Sequence, residues 1–252
     1  MSLRLAQITD CHLQADALTF YKGVDADAHL DQCLSWLHNN AKVDLLMLTG
    51  DLSHFGSEAA YQRLKQKLSS LTYPCIWLAG NHDNCGIMQG VSGQAVQQLR
   101  VLDYEHWRLV VLNTTANADG NGAGSIASAQ MEELKQVLED DSQLPVCVFM
   151  HHNSMPVDSM WQDPIMLGNA QQFNALVASK PRVKAVLCGH VHQNFDQVVG
   201  NIRFLATPSS AVQFTCKQDK FKVEEDLGPG LRLLTLEQGG HLNTKIQRLP
   251  RI

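Results

Sequence analysis

Residues 74–83 read Pro-Cys-Ile-Trp-Leu-Ala-Gly-Asn-His-Asp, an apolar run that passes directly into four residues with metal-binding character. The run from Pro74 to Ala79 has the length and composition of a buried β-strand. Amide, imidazole and carboxylate side chains, as in Asn81, His82 and Asp83, are ligands for divalent cations. The stretch therefore predicts a strand whose carboxyl end carries chemically active residues.

The same arrangement, a strand-like run followed by candidate ligands, occurs four more times along the chain. The other motifs are Asp10-Cys11-His12 after Leu3 to Thr9, Gly50-Asp51 after Val43 to Thr49, His151-His152 after Val146 to Met150, and Gly189-His190-Val191-His192 after Val183 to Cys188. Asp-x-His alone arises easily by chance, but Gly-Asn-His-Asp, Gly-His-x-His and the ordered set of five do not. The set as a whole therefore indicates a metal site.

Amphipathic segments separate these strands and predict helices. The predicted helices are Asp27 to Ala41, Ser57 to Leu71 with Ser57 as N-cap, Ser128 to Asp140, and Ala170 to Ser179. Further strands are predicted for Trp107 to Thr114, Ile202 to Ala206, Leu231 to Leu236 and Leu242 to Gln247. Alternating βα units place ligands beyond the carboxyl ends of the strands, so we expect the motifs to converge.

The composition suits one large hydrophobic core. The chain has 252 residues, 44% of them hydrophobic, and we expect a single domain over residues 1–252. A formal net charge of −5 disfavours a broad nucleic-acid surface, because affinity for phosphate backbones comes from clustered Lys and Arg. We therefore expect a small anionic substrate that the metals hold.

Cysteine usage and the N-terminal segment bear on location. The seven cysteines are an odd number without a short repeated spacing, which favours buried thiols in a reducing compartment. The chain enters a strand at once, without a segment typical of a signal peptide, and no apolar run approaches eighteen residues. We expect a cytoplasmic protein that does not span a membrane.

The mixture of ligand types bears on the metal. Carboxylate, amide and imidazole together suit Mn, Fe or Zn, and the absence of a clustered Cys pair disfavours structural zinc. Two metals about 3.5–4 Å apart need a bridging ligand, and Asp51 is the natural candidate because a carboxylate has two oxygens. His190 and His192 are two residues apart, so an extended backbone would point both to one side.

Two residues of the Gly-Asn-His-Asp motif have candidate roles outside the metal shell. His82 follows the amide of Asn81 and could stabilise a transition state or protonate a leaving oxygen. Asp83 either orients His82 or caps a helix. Nearby, His54 is either a substrate contact or an ordinary loop histidine, and Phe20, Tyr21 and Trp161 either stack on a nucleobase or simply pack.

The five motifs resemble the calcineurin-like metallophosphoesterase family, whose pattern is D-x-H, G-D, G-N-H-[DE], H and G-H-x-H, between about Leu5 and His192. The resemblance implies an α/β (α+β) fold, a four-layer αββα sandwich with two divalent metal ions. Its implied ligands are Asp10, His12, Asp51 and His192 for one metal, and Asp51, Asn81, His151 and His190 for the other. His82 takes the outer catalytic role, and Asn81 and His82 contact substrate.

A closer likeness is to the bacterial class III 3′,5′-cyclic AMP phosphodiesterases, through Leu187 to Gln193, Ala206 to Ser209 and Pro229-Gly230. It implies hydrolysis of 3′,5′-cyclic AMP to 5′-AMP by a metal-bound hydroxide. A broader phosphodiesterase or phosphatase stays open, as does a non-catalytic scaffold of the same fold, although the ligand set is complete. The chain departs from relatives at His151-His152-Asn153-Ser154, which leaves the choice between His151 and His152 open. Oligomeric state is not indicated.

Overall fold

Two β-sheets packed face to face form the centre of the structure, a computed structural model that describes residues 2–252. The first sheet has five strands in the order β13 (Leu242–Arg248), β12 (Gly230–Leu236), β1 (Leu3–Ile8), β2 (Leu45–Thr49) and β3 (Cys75–Leu78). β1 runs parallel to β2, and β2 to β3, whereas β12 is antiparallel to β1 and β13.

The second sheet has six strands. Their order is β4 (Arg100–Asp103), β5 (Arg108–Val111), β6 (Val146–Phe149), β7 (Val183–Cys188), β9 (Ile202–Ala206) and β8 (Phe195–Val199). The four middle strands are parallel, and the two edge strands are antiparallel to their neighbours. A separate ribbon pairs β10 (Gln213–Phe214) with β11 (Val223–Glu224).

Five helices cover the outer faces of the sheets. α1 (Ala26–Asn40), α2 (Glu58–Leu68) and α3 (Cys85–Ser92) pack on the first sheet, and α4 (Ser128–Glu139) and α5 (Ala170–Ala178) pack on the second. A third buried cluster lies between the two sheets. The predicted four-layer αββα sandwich is therefore confirmed.

The continuous apolar runs follow from this layering. In β2, Leu45 and Met47 face the opposite sheet, whereas Leu46 and Leu48 face the helices. Because successive strand residues point to opposite faces, a strand that is covered on both faces needs apolar residues at every position.

The predicted helices and strands are present, with ends that differ by a few residues. α2 ends at Leu68 rather than Leu71, and β5 is shorter than the predicted Trp107 to Thr114 strand. The structure adds α3, β4, β8 and the β10–β11 ribbon, which the sequence patterns did not predict. These additions are short or exposed: α3 has eight residues, each ribbon strand has two, and β8 is mostly exposed.

The seven cysteines all lie within the described residues, and none of them is paired in a disulfide. Four are buried, and Cys216 is exposed. Within residues 2–252 no helix has both the length and the apolar character needed to cross a membrane.

Candidate metal centre

The five motifs meet at one end of the sandwich. Asp10 and His12 follow β1, Asp51 follows β2 and Asn81 follows β3, all in the first sheet. His151 follows β6, and His190 and His192 follow β7, in the second sheet. Since these are parallel strands, their carboxyl ends lie at the same edge, and candidate ligands from both sheets face one another.

One half of the site joins the Asp10-Cys11-His12 motif to His192. Nε2 of His12 lies 3.1 Å from Nε2 of His192 and 3.7 Å from Oδ2 of Asp51. Nε2 of His192 lies 3.3 Å from Oδ1 of Asp10. Four candidate donors thus surround one position.

The other half surrounds His151. Its Nε2 lies 3.1 Å from Oδ1 of Asn81 and 3.5 Å from Oδ1 of Asp51. His190 stands beside it, with ring centroids 5.1 Å apart. The two oxygens of Asp51 therefore face different halves, Oδ2 towards His12 and Oδ1 towards His151, which is the geometry that a bridging carboxylate requires.

Backbone carbonyls orient three of the imidazoles. Nδ1–H of His192 donates to the carbonyl oxygen of Val212 at 2.7 Å. Nδ1–H of His151 donates to the carbonyl oxygen of Thr49 at 2.9 Å. Nε2–H of His190 donates to the carbonyl oxygen of Ile165 at 3.0 Å. In each ring the other nitrogen is the one left to bind a cation. Such outer hydrogen bonds fix the tautomer of metal-binding histidines, so the donor set fits a pair of divalent ions.

The geometry distinguishes His151 from His152. His152 has both ring nitrogens engaged, Nδ1 with the hydroxyl of Thr114 at 2.7 Å and Nε2 with the carbonyl of Gly122 at 3.0 Å. Burial and the neighbouring His151 lower the pKa of His152 to about 3, so its ring is neutral. His152 thus has no free lone pair directed at the centre, whereas Nε2 of His151 faces Asn81 and Asp51.

The backbone at the site is unusual. Within residues 2–252, nine residues other than glycine have positive φ, and five of them are candidate ligands: Asp10, His12, Asp51, His190 and His192. The left-handed region is unfavourable for side chains with a Cβ, though Asn, Asp and His tolerate it best. His190 and His192 therefore do not lie on extended backbone, and our reason for their common direction was wrong. The loop itself turns both rings inward.

Two motif glycines permit the close approach of the loops. A Cβ at Gly80 would collide with Asp51 and His151, and one at Gly189 would collide with the hydroxyl of Thr9 and the carboxylate of Asp10. Glycine is needed at these positions because the ligands occupy the space of a side chain.

Asp83 has neither of its expected roles. The N-cap of α3 is Asn84, whose side chain accepts from the amide of Ile87. The Asp83 carboxylate instead accepts from the amides of Leu52, Ser53 and Gly80 and from the hydroxyl of Tyr61. It therefore ties together the two loops that carry Asp51 and Asn81. Burial, reinforced by the charge of Asp51, raises its pKa to about 6.

Charge balance at the centre favours a cation. Burial opposes ionisation of Asp51, but its neighbours His151, His12 and His82 outweigh it and hold the Asp51 pKa well below its ordinary value. Burial lowers the pKa of His12 and His190, so these rings are neutral, as metal ligands must be. His151 differs: burial lowers its pKa, but Asp51 outweighs burial and raises it to about 9.

His82 lies beside the donor cluster and lines the cavity. Its backbone N–H donates to Oδ1 of Asp51 at 2.9 Å, and its ring N–H at Nδ1 donates to the carbonyl of His54 at 3.0 Å. The His54 ring stacks on that of His82, with centroids 4.6 Å apart. His54 thus belongs to the site and positions His82.

Aromatic rings cover the outer faces of two candidate ligands, an arrangement that the sequence did not predict. Tyr21 stacks on His12 at 4.3 Å between centroids, and Phe214 stacks on His192 at 4.0 Å. Tyr21 therefore packs against the centre, while Phe20 is 60% exposed and outside the cavity lining.

This fold and donor set define a protein built to hold a pair of divalent cations. The sequence profile of the calcineurin-like phosphoesterases matches residues 3–194. The chain belongs to the calcineurin-like phosphoesterase family.

Similar proteins extend the match to nearly the whole chain. A Pseudomonas aeruginosa protein named 3′,5′-cyclic adenosine monophosphate phosphodiesterase CpdA is 33% identical over 249 residues, covering 98% of this chain and 90% of its own length. The Escherichia coli (strain K12) protein of that name is 34% identical over 254 residues, with coverage of 98% and 90%. A 3′,5′-cyclic-nucleotide phosphodiesterase of Nostoc is 31% identical over 252 residues, with coverage of 99% and 94%.

Solved structures show the same fold. A dimetal phosphatase from Danio rerio superposes with a TM-score of 0.67 at 12% identity, covering 96% of this chain and 98% of its own. A purple acid phosphatase from yellow lupin superposes with the same TM-score at 13% identity, covering 98% of this chain and 52% of its own. At these identities the likeness concerns the fold alone.

Proposed function

We propose that this protein is a metal-dependent phosphodiesterase that hydrolyses 3′,5′-cyclic AMP to 5′-AMP. The observation that carries the reaction type is the convergence of a complete donor set, oriented by backbone carbonyls, around both oxygens of Asp51. The names of relatives that align along almost the whole chain support the substrate.

The ligand assignment follows the two halves of the site. Asp10, His12, Asp51 and His192 would hold one ion, and Asp51, Asn81, His151 and His190 the other. Short distances among Nε2 of His12, Nε2 of His192 and the Asp10 and Asp51 carboxylates support the first set. The contacts of His151 with Asn81 and Asp51 support the second.

When bound, the two cations would activate a water molecule and withdraw charge from the phosphoryl oxygens. Asn81 and His82 line the cavity and would contact the substrate. Because Nδ1–H of His82 is held by the carbonyl of His54, Nε2 is the atom that would carry a proton to the departing 3′ oxygen. His54 keeps that nitrogen directed at the cavity.

We propose Mn, Fe or Zn as the native metals, since all three accept this mixture of ligands and selection in cells depends on availability. Residues 1–252 would form one domain. We place the protein in the cytoplasm, where 3′,5′-cyclic AMP acts as a second messenger.

The test is turnover by purified, Mn²⁺-loaded protein of 3′,5′-cyclic AMP, 2′,3′-cyclic AMP, an aryl phosphodiester and 5′-AMP, compared by kcat/KM. A strong preference for 3′,5′-cyclic AMP is expected. Turnover of the aryl diester alone would keep the reaction type and refute the substrate. Inactivity on all four with metal bound would refute the proposal.

Two variants test the assigned residues. Asn81→Ala should abolish measurable turnover, and His82→Ala should lower kcat by about 10² to 10⁴ with metal content unchanged. Circular dichroism spectra should match those of the unmodified protein. An unchanged kcat in His82→Ala would refute its role in proton transfer.

A further inference from the structure

One side of the cavity consists of aromatic rings rather than donors. Trp161, Phe214 and Phe221, here called the aromatic wall, line the same cavity as His12, Asp51 and His82. The three rings contact one another edge to face, with centroids 5.1–5.4 Å apart. Because Phe214 also stacks on His192 at 4.0 Å, the wall begins at the candidate ligands and extends outward.

The inner two rings of the wall, Phe214 and Trp161, are held by packing of their own. Phe214 belongs to a small buried cluster with Tyr21, Val24 and Val212, against which Trp161 packs. This cluster is separate from those that hold the sheets and helices together. The β10–β11 ribbon that carries Phe214 is therefore anchored by packing of its own.

The outer ring of the wall is exposed without an evident structural reason. Phe221 is 46% exposed, and the Nζ atom of Lys22 lies 4.5 Å from its ring centroid. Among the described residues that line the cavity, Lys22 is the one lysine or arginine. An apolar ring and an ammonium group at the mouth match a ligand that is flat, aromatic and anionic.

We infer that the aromatic wall is the binding site for the nucleobase of the substrate. The inference rests on the proposed function, which places the phosphate at the metal centre. Only the ring of His192 separates Phe214 from the metal centre, so a base attached to a phosphate at that centre would contact the aromatic wall. Rings recognise bases by stacking, which every base permits, and each stacked contact contributes roughly tenfold or more to binding. The wall would thus favour nucleotides over base-free esters.

The experiment compares turnover of 3′,5′-cyclic AMP with that of a base-free ribofuranose 3′,5′-cyclic phosphate by Mn²⁺-loaded protein, and phosphorus NMR follows quenched samples from which a chelating resin has removed the metal. The variants are Trp161→Leu and Phe221→Leu, which keep an apolar side chain and remove the ring. Phe20→Leu is the matched control, because Phe20 is exposed but outside the cavity lining. The exposure of Phe221 means that its replacement leaves folding intact even if Trp161→Leu is destabilised.

The unmodified protein should prefer 3′,5′-cyclic AMP by at least roughly tenfold in kcat/KM. Phe221→Leu should reduce this preference through KM and leave turnover of the base-free diester unchanged, whereas Phe20→Leu should change neither. Equal losses on both substrates, or no loss, would overturn the base site and leave the proposed function standing. Absence of turnover of 3′,5′-cyclic AMP by the unmodified protein, with an aryl diester hydrolysed, would overturn both.

Discussion

Replacement of Asp83 by Ala should destabilise the protein without removing any proposed metal ligand. The carboxylate accepts amide hydrogens from Leu52, Ser53 and Gly80 at 3.1, 3.0 and 2.9 Å. These three donors belong to buried residues, and each amide left without an acceptor costs about 1–3 kcal/mol. Relief of the repulsion between the Asp83 and Asp51 carboxylates offsets part of this cost. We therefore expect Asp83→Ala to lower the free energy of unfolding by about 3 kcal/mol.

Urea denaturation in the presence of a chelator would measure this loss, because chelation separates fold stability from metal affinity. Tyr61→Phe removes the hydroxyl that donates to Asp83 and accepts from the amide of Asn84, and it should cost about 1–2 kcal/mol. Asp141→Ala, at an exposed position, is the matched control and should change the free energy of unfolding by less than about 0.5 kcal/mol. A loss for Asp83→Ala no larger than for this control would refute the loop-tying role.

Two further predictions concern metal content and pH. His151→Ala should lower the affinity for Mn²⁺ by at least about a hundredfold. His152→Ala should lower the free energy of unfolding but retain two ions per chain, as measured by metal analysis. Loss of metal only in His152→Ala would reverse the assignment. A hydrogen bond from Arg108 holds the pKa of Asp103 in the folded protein below its ordinary value. Ionised Asp103 therefore adds to the free energy of unfolding above about pH 4, and this contribution is lost as the pH falls through the pKa of Asp103 in the folded protein. Asp103→Asn should therefore lower the free energy of unfolding, measured by urea titration, by under about 1 kcal/mol at pH 7 and by progressively less at lower pH. A difference between variant and unmodified protein that does not change with pH would contradict this.

The sequence patterns predicted the central strands well because these strands are unambiguous, and the family resemblance implied the four-layer sandwich that they form. Strands such as Leu45–Thr49 must be apolar on both faces, and a polar motif marks where each one ends. α3 and the β10–β11 ribbon lack such signals. The ribbon has only two residues in each strand, and its position depends on ring contacts of Phe214 with distant residues.

The geometry within the site was less predictable than its composition. The acceptors that orient His151, His190 and His192 are backbone carbonyls of distant residues, and a carbonyl has the same chemistry whatever the side chain. The positive φ at His190 and His192 likewise arises from tertiary contacts that no local pattern records. Asp83 was misread because two of its partners, Leu52 and Ser53, belong to another loop.

The placement of the motifs on both sheets has a consequence for how the sandwich holds together. With the proposed ligands, each ion would be shared between the sheets, since Asp51 belongs to one and His151 and His192 to the other. The free energy of cation binding then adds directly to the cohesion of the two layers at this end. Removal of the cations would loosen that end first. Amide hydrogen exchange should therefore accelerate in the loops that follow β6 and β7 before it changes at the opposite end of these strands.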